Sequence, residues 1–287
     1  DRWLGVLPLH HVGGLSILWR SARDGGTVML EESFDSERVA ALLGSGEVAF
    51  ASLVPTMLRR VLEAAAGPFA GVRAVLVGGG PADPALLAAA RRAGLPALQT
   101  YGMTETASQV ATEAPGEEGR RPGSTGRPLA GFEVRVVDAA GRALPAGEEG
   151  RLEVRGPAVT PGFLGEPERE AGGWFRTGDS GWLDGDGYLF VTGRADAVIV
   201  TGGENVHPEE VEAVLREHPA VADARVGGED DAVWGRRVVA RVAPRDGCSL
   251  DPADLEAFAR SRLAPHQVPR RWEVVARVER SEMGKPV

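Results

Sequence analysis

The sequence predicts an α/β protein: layers of βαβ units joined to a β-rich, barrel-like section, followed by a small α+β domain. Three observations lead there. Over the first hundred residues short β-rich runs alternate with helical patterns, from about Gly123 to Tyr188 the helical patterns stop, and past Arg194 both return in a new arrangement.

The chain opens on the strand-like DRWLGVLPL. Farther on, the run Val72 to Val77 is followed by GGGPADP, by the helix former PALLAAARRAG, and by LPALQTYG as a returning strand. Strand, glycine turn, helix and strand in that order imply a largely parallel sheet covered by helices. In the middle, FEVRVVD, GRLEVRG and YLFVTG read as strands between turns such as Asp138 to Gly141 and Asp184 to Gly187, giving a barrel or sandwich. After Arg194, Pro208 starts a helix with Val211, Val214 and Leu215 at i, i+3 and i+4, and DARVGG and RRVVARVAP follow as strands. Asp251 is the candidate N-cap of a last helix, with Pro252 at its first position and Leu255, Phe258 and Leu263 on one face. The domains are expected at 1–195 and 196–287, with the joint in GRADA, residues 193–197.

Composition narrows the function classes. A chain of 287 residues with 43% hydrophobic content supports two domains with sizeable cores. The formal charge of −9 argues against nucleic acid or an anionic membrane surface as the main partner, because both select clustered positive charge. Apolar runs such as Val72 to Val77 and Ala197 to Val200 are too short to span a bilayer, and no basic-then-apolar leader opens the chain. The expectation is a soluble, cytoplasmic protein without membrane insertion. A single cysteine, Cys248, excludes an internal disulfide framework, and the five histidines lack metal-ligand spacing. No transition metal is expected, and any metal is a hard cation brought with a nucleotide.

All but one of the 32 basic residues are arginine; the single lysine, Lys285, closes the tract SEMGK. An ammonium on a flexible stem can follow a phosphate through a reaction, whereas the guanidinium fork prefers a fixed partner. Alone, Lys285 reads equally well as one surface lysine left by codon bias. The strongest tract is YGMTETASQ, Tyr101 to Gln109, just after a predicted strand, where loops project ligand-binding groups. It supplies an aromatic face (Tyr101), a glycine permitting close approach (Gly102), a hydroxyl able to contact phosphate (Thr104) and a carboxylate able to hold Mg²⁺ (Glu105). The same residue types also make plain turns.

YGMTETASQ has companions: LPLHHVGGLS (7–16), GGGP (78–81), GWFRTGDSG (173–181), GRADAVIVTGGENVHPEEVE (193–212) and MGK (283–285). In order and spacing the six tracts resemble the core motifs of the adenylate-forming superfamily of acyl-CoA and aryl-CoA synthetases, luciferases and peptide-synthetase adenylation domains. The resemblance covers essentially the whole chain. It implies an acid-thiol ligase that uses ATP, Mg²⁺ and coenzyme A, forms an acyl-adenylate and pyrophosphate, and then passes the acyl group to the CoA thiol with release of AMP.

By position, the resemblance implies that Asp179 binds the ribose hydroxyls and Arg194 contacts the same nucleotide from the domain joint. Tyr101 would pack by the adenine, Thr104 would touch the α-phosphate, Glu105 would hold Mg²⁺, and Gly78, Gly79, Gly80 and Gly102 would let the backbone approach the nucleotide. His11 matches the histidine beside the reacting carboxylate. Lys285 would stabilise charge building on phosphate and departing pyrophosphate, delivered by a mobile C-terminal domain that then turns about a hinge at Asp196. Gly202 and Gly203 would line a tunnel for the CoA pantetheine arm.

Without the resemblance, Asp179 is a turn aspartate, Arg194 a surface arginine, Gly78–Gly80 a tight strand-to-helix turn, Asp196 a linker residue and Gly202–Gly203 a hairpin turn. GGGPAD also fails the GxGxxG dinucleotide pattern, since Asp83 stands where the last glycine is needed. His10 is expected as a partly buried ring with a satisfied hydrogen bond.

The tracts LPLHHVGGLSILWRS and YGMTETASQV are similar to those of o-succinylbenzoate:CoA ligases, which activate the succinyl side-chain carboxylate in menaquinone biosynthesis. That acid carries a second carboxylate. The resemblance implies that Arg20 pairs with it, directly or through water, while Ser108 and Gln109 line the acyl pocket. The competing readings are a helix-surface ion pair for Arg20 and loop polarity for Ser108 and Gln109.

One departure stands out. The family carries a Gly/Ser/Thr-rich phosphate loop ending in Pro-Lys-Gly ahead of the HHVGG-like tract, and no residues here match it. The expectation is therefore a partial large domain, truncated at its N-terminus and impaired as given, with strand edges open to pairing with another chain, a homo-oligomer included. Two alternatives stay open: a ligase for another aryl, fatty or dicarboxylic acid or an adenylation domain loading a carrier protein, and a noncatalytic nucleotide-binding module.

Overall fold

The computed structural model of the chain describes residues 1–165, 169–170, 172–195, 197–231 and 233–278. These fall into two compact units, one of residues 1–177 with 181–191 and the other of residues 178–180 with 192 onward.

The first unit starts with β1 (Arg2–Gly5), α1 (Val12–Asp24), β2 (Thr27–Leu30), α2 (Ser36–Gly44), β3 (Phe50–Leu53), α3 (Pro55–Ala64), β4 (Ala74–Val77), α4 (Pro84–Arg92) and β5 (Ala97–Met103). The five strands pair in parallel in the order β2-β1-β3-β4-β5, as the βαβ grammar predicts. β6 (Ser108–Thr112) and β7 (Arg127–Pro128) then extend the sheet antiparallel.

Local chemistry bounds the helices. Asp35 and Asp83 accept the N–H groups of Arg38 and Ala85, capping α2 and α4, so Asp83 is a cap where a dinucleotide loop would need glycine. Gly25, at φ 68°, stops α1.

Alternation decides the faces. Ala51, Leu53, Val75, Val77 and Ala97, each at most 1% exposed, form one side of the core. On the other face Trp3, Phe50, Leu76 and Leu98 line a groove of about 480 Å³ that also reaches Thr112 and Arg127.

A buried carboxylate fixes the entry to β5. Glu113, 6% exposed, accepts from Arg91 Nη2 at 2.6 Å, Gln99 N at 2.8 Å and Gly119 N at 2.9 Å. All its partners are in place, which is what a buried charge requires; removing one typically costs about 3 kcal/mol or more.

The middle section holds β8 (Glu133–Val137), β9 (Gly150–Arg155), β10 (Phe175–Leu183) and β11 (Leu189–Arg194), in sequential sheet order. Its buried residues Val136, Leu152, Val154 and Leu189 pack on Tyr101, Val110 and Ala111. Of the two forms expected, the packing is that of a sandwich. The described strands of this sheet follow the path β11-β10-β9-β8. The two expected turns form, with Gly141 and Gly187 both at φ 81°.

The second unit contains β12 (Ile199–Thr201), β13 (Glu204–Val206), α5 (Pro208–Arg216), β14 (Val221–Asp231), β15 (Gly235–Pro244), α6 (Pro252–Arg260) and β16 (Arg271–Val274). Its sheet runs β13-β12-β15-β14, with β16 parallel to β15. Val211, Leu215, Leu255 and Ala259 seal the helices against Ile199, Val226, Val238 and Ala240. Asp251 accepts from Ala253 N at 2.9 Å, as expected of a cap. Leu263 lies past the end of α6 rather than on its face, although it still packs on this core. No helix among the described residues is long and apolar enough to cross a membrane.

Candidate active site

The loops after β1, β4 and β5 leave the same carboxyl edge of the parallel strands, where open α/β sheets gather ligand-binding groups. They carry the HHVGG, GGGP and YGMTETASQ tracts. His11 is the N-cap residue of α1, with extended backbone (φ −100°, ψ 143°) and no side-chain capping bond. Its ring is half-buried and lies 4.4 Å from that of His10. His10 corrects the expectation: it is exposed and has no hydrogen-bond partner among the described residues, because it stands in the loop ahead of the helix.

Each glycine of GGGP meets a different constraint. A side chain at Gly78 would strike Thr100 Oγ1, Gly79 has φ +80°, and Gly80 faces open space. At Gly102 the close approach is by the chain itself, since a Cβ there would overlap the Ser108 carbonyl. This crowding accompanies the register shift between Tyr101 and Gly102 in the β5–β6 pairing. Tyr101 is 9% exposed and belongs to the core beneath the sandwich.

Thr104 to Thr106 form one 3₁₀ turn. Thr106, 1% exposed, accepts from Met103 N at 3.2 Å, and its hydroxyl lies 3.0 Å from the carbonyls of Met103 and Ser108. Thr104 is exposed, and the half-buried Glu105 has no cationic partner among the described residues. The described residues contain no group of three or more potential metal ligands, so Glu105 could contribute one ligand to a cation completed by phosphate and water.

Ala107 (φ 53°) and Ser108 (φ 114°) are the only described non-glycine residues with positive φ. Strain of this kind persists where surrounding structure enforces it, often at functional positions. Here it turns β6 so that Ser108 and Gln109 meet α1.

Arg20 Nη2 donates to Gln109 Oε1 at 2.8 Å and to Ser108 Oγ at 3.3 Å. Ser16, one turn earlier on α1 and 8% exposed, has its Oγ 3.5 Å from Ser108 Oγ. The Arg20 guanidinium lies 5.7 Å from the centre of the Trp3 ring. No carboxylate pairs with it among the described residues, so the helix-surface ion pair is corrected. Burial, and secondarily Arg23, holds its pKa below the usual arginine value. A partly desolvated cation with neutral partners favours an anion. The three residues expected to recognise the acyl group therefore meet across 88 and 89 residues of sequence. Sequence reasoning missed Ser16, Thr106, Trp3 and Thr112; only Ser16 left a signal, its i, i+4 spacing from Arg20.

In the second unit Arg194 Nη1 lies 3.7 Å from Asp179 Oδ1, and Ala195 N donates to Gly178 O at 2.9 Å. The residue expected at the ribose, Asp179, and the one expected to contact the same nucleotide, Arg194, are thus neighbours. Burial pushes the Glu209 carboxyl up, against hydrogen bonds from its own and the Arg194 backbone N–H. Gly202 (φ 59°) and Gly203 (φ 88°) form the two-residue turn between β12 and β13. Lys285 and Asp196 lie outside the described residues.

Comparison with known proteins follows these features. The family model for AMP-binding enzymes matches residues 1–164, and that for the AMP-binding enzyme C-terminal domain matches residues 210–285. The 2-succinylbenzoate–CoA ligase of Geobacillus kaustophilus is 44% identical over 291 residues, covering 99% of this chain and 59% of that protein. The o-succinylbenzoate CoA synthetase of Bacillus subtilis, solved with the acyl-adenylate intermediate, superimposes with a TM-score of 0.92 at 37% identity, over 100% of this chain and 59% of that one. The same enzyme with ATP and magnesium ion gives 0.91 at 37% identity, over 100% and 60%. The chain spans about 60% of the length of the curated relatives it matches. With both family models aligned in order and the motif loops on one sheet edge, the chain belongs to the AMP-binding enzyme family.

Proposed function

We propose that the protein containing this chain is an ATP-dependent carboxylate:CoA ligase that forms o-succinylbenzoyl-CoA in menaquinone biosynthesis through an acyl-adenylate. The observation that carries the substrate reading is Arg20: a partly buried guanidinium, held by Ser108 and Gln109 and without a carboxylate partner among the described residues. It suits the ring carboxylate of o-succinylbenzoate and leaves the succinyl carboxylate to react. The relatives' names and the acyl-adenylate bound to the B. subtilis enzyme support the same reading.

In the first half-reaction a succinyl carboxylate oxygen bonds to the α-phosphorus of ATP, and the bond to the bridging oxygen breaks as pyrophosphate leaves. His11 would flank the carboxylate, Thr104 would donate to the α-phosphate, and Glu105 would hold Mg²⁺. Asp179 would bind the ribose hydroxyls and Arg194 would contact the same nucleotide, with Gly78 to Gly80 beside the base, while Tyr101, set in the core, would pack by the adenine as a wall. Lys285 would offset charge on the phosphates, and Asp196 would serve as hinge. In the second half-reaction the CoA sulfur bonds to the acyl carbon, the carbon–oxygen bond to AMP breaks, and the thiol proton is released. Gly202 and Gly203 would border the pantetheine arm.

ATP–pyrophosphate exchange by the intact gene product, tested with o-succinylbenzoate and a panel of aryl, fatty and dicarboxylic acids, checks this reading. Exchange should depend on acid and be highest with o-succinylbenzoate. Preference for another acid would replace the substrate, and exchange with none would favour a noncatalytic nucleotide-binding module.

A further inference from the structure

We infer that Thr112 is a positioning residue for acid recognition: through Gln109 it holds the Arg20 guanidinium in the orientation that receives the second carboxylate. The inference rests on the proposed role of Arg20 and goes one layer beyond it.

Gln109 bridges two residues. Its Oε1 accepts from Arg20 Nη2 at 2.8 Å, and its Nε2 donates to Thr112 Oγ1 at 2.9 Å. The direction of this chain is forced, since a guanidinium can only donate and must therefore meet the amide oxygen, leaving the amide nitrogen for an acceptor. Thr112 Oγ1 is that acceptor.

Thr112 is itself fixed. Its backbone is paired with Thr100 on β5 and with Arg127 on β7. Gly126, at φ +83°, lies so close that a Cβ there would overlap the Thr112 carbonyl. Rigidity thus passes from a three-strand pairing through one hydroxyl and one amide to a long, flexible side chain. Among the described residues both hydrogen bonds that Arg20 donates leave from Nη2, so Nε and Nη1 are available as donors to a ligand. Trp3 limits movement on the ring side. Holding the guanidinium before substrate arrives spares the rotamer entropy that ordering it on binding would cost.

The effect should appear in binding of the diacid and nowhere else. An acid without the ring carboxylate does not use Nε or Nη1, and the Thr112 hydroxyl meets the YGMTETASQ tract at Gln109, not at Tyr101, Thr104 or Glu105. In the intact gene product, kcat/KM for o-succinylbenzoate and for 4-oxo-4-phenylbutanoate, the same molecule without its ring carboxylate, is measured for wild type, Thr112→Val and Thr112→Ser. The near-isosteric valine should lower the diacid-to-monoacid ratio about five- to tenfold, the loss of roughly one hydrogen bond, through KM with kcat little changed. Serine should restore it. In a Gln109→Leu background Thr112→Val should add nothing further to the ratio, because the bridge is already gone. An unchanged ratio in Thr112→Val, or full additivity with Gln109→Leu, overturns the proposal while wild type still discriminates. Equal use of the two acids by wild type defeats the role of Arg20 itself, and the inference with it.

Discussion

A guanidinium at Arg20 without a carboxylate partner among the described residues is the residue-scale feature on which the proposed recognition turns. Buried charges are retained where they are paired or where a ligand pairs them, and the partners seen here, Ser108 and Gln109, are neutral. Arg20→Ala should therefore lower kcat/KM for o-succinylbenzoate about 30-fold or more relative to 4-oxo-4-phenylbutanoate, since truncating one side of a desolvated charge pair costs roughly 2–5 kcal/mol. Steady-state kinetics with both acids check this. An equal loss for the two would mean that the arginine supports the fold and not the carboxylate. The residue types were legible in sequence, but their meeting was not: Arg20 and Gln109 are brought together by the strained Ala107–Ser108 turn and the register shift in β5–β6, neither of which has a sequence marker. The chemistry of Thr112 was likewise silent, because a threonine in a strand is an ordinary residue until its hydroxyl is seen against Gln109.

At the scale of elements, helices and turns were the most legible parts because their signals are local. Asp251, Pro208 and Pro252 mark helix starts that form as expected, and the helix read from PALLAAARRAG begins at Pro84. The four-residue strands β1 to β3 were less so, since their parallel partners lie across intervening helices. The form of the middle section stayed open between barrel and sandwich for the same reason: strand spacing does not say whether a sheet closes on itself or packs on another. The β12–β13 hairpin offers a test at this scale. Gly202 has φ +59°, and a Cβ there would come 2.9 Å from the Trp234 ring. Gly202→Ala should destabilise the protein by about 1–2 kcal/mol, whereas Gly227→Ala, with open space around it and no left-handed backbone, should stay within about 0.5 kcal/mol of wild type. Denaturant unfolding of both variants measures the difference, and equal stabilities would show that the turn tolerates a side chain.

For the molecule as a whole, two compact units each close their own core and each carry part of the motif set. The first contributes the loops at the carboxyl edge of a parallel sheet together with the Arg20 cluster. The second contributes Asp179, Arg194 and the glycine hairpin. Family membership was readable because the motifs keep their order over the whole chain, while the acid proposed for it depends on contacts between distant segments. The central claim is that the intact protein activates a carboxylate as its adenylate. Product analysis after incubation with ATP, coenzyme A and o-succinylbenzoate tests it most directly: the account predicts AMP, pyrophosphate and o-succinylbenzoyl-CoA in equal amounts, and thioester formed together with ADP and phosphate would contradict it.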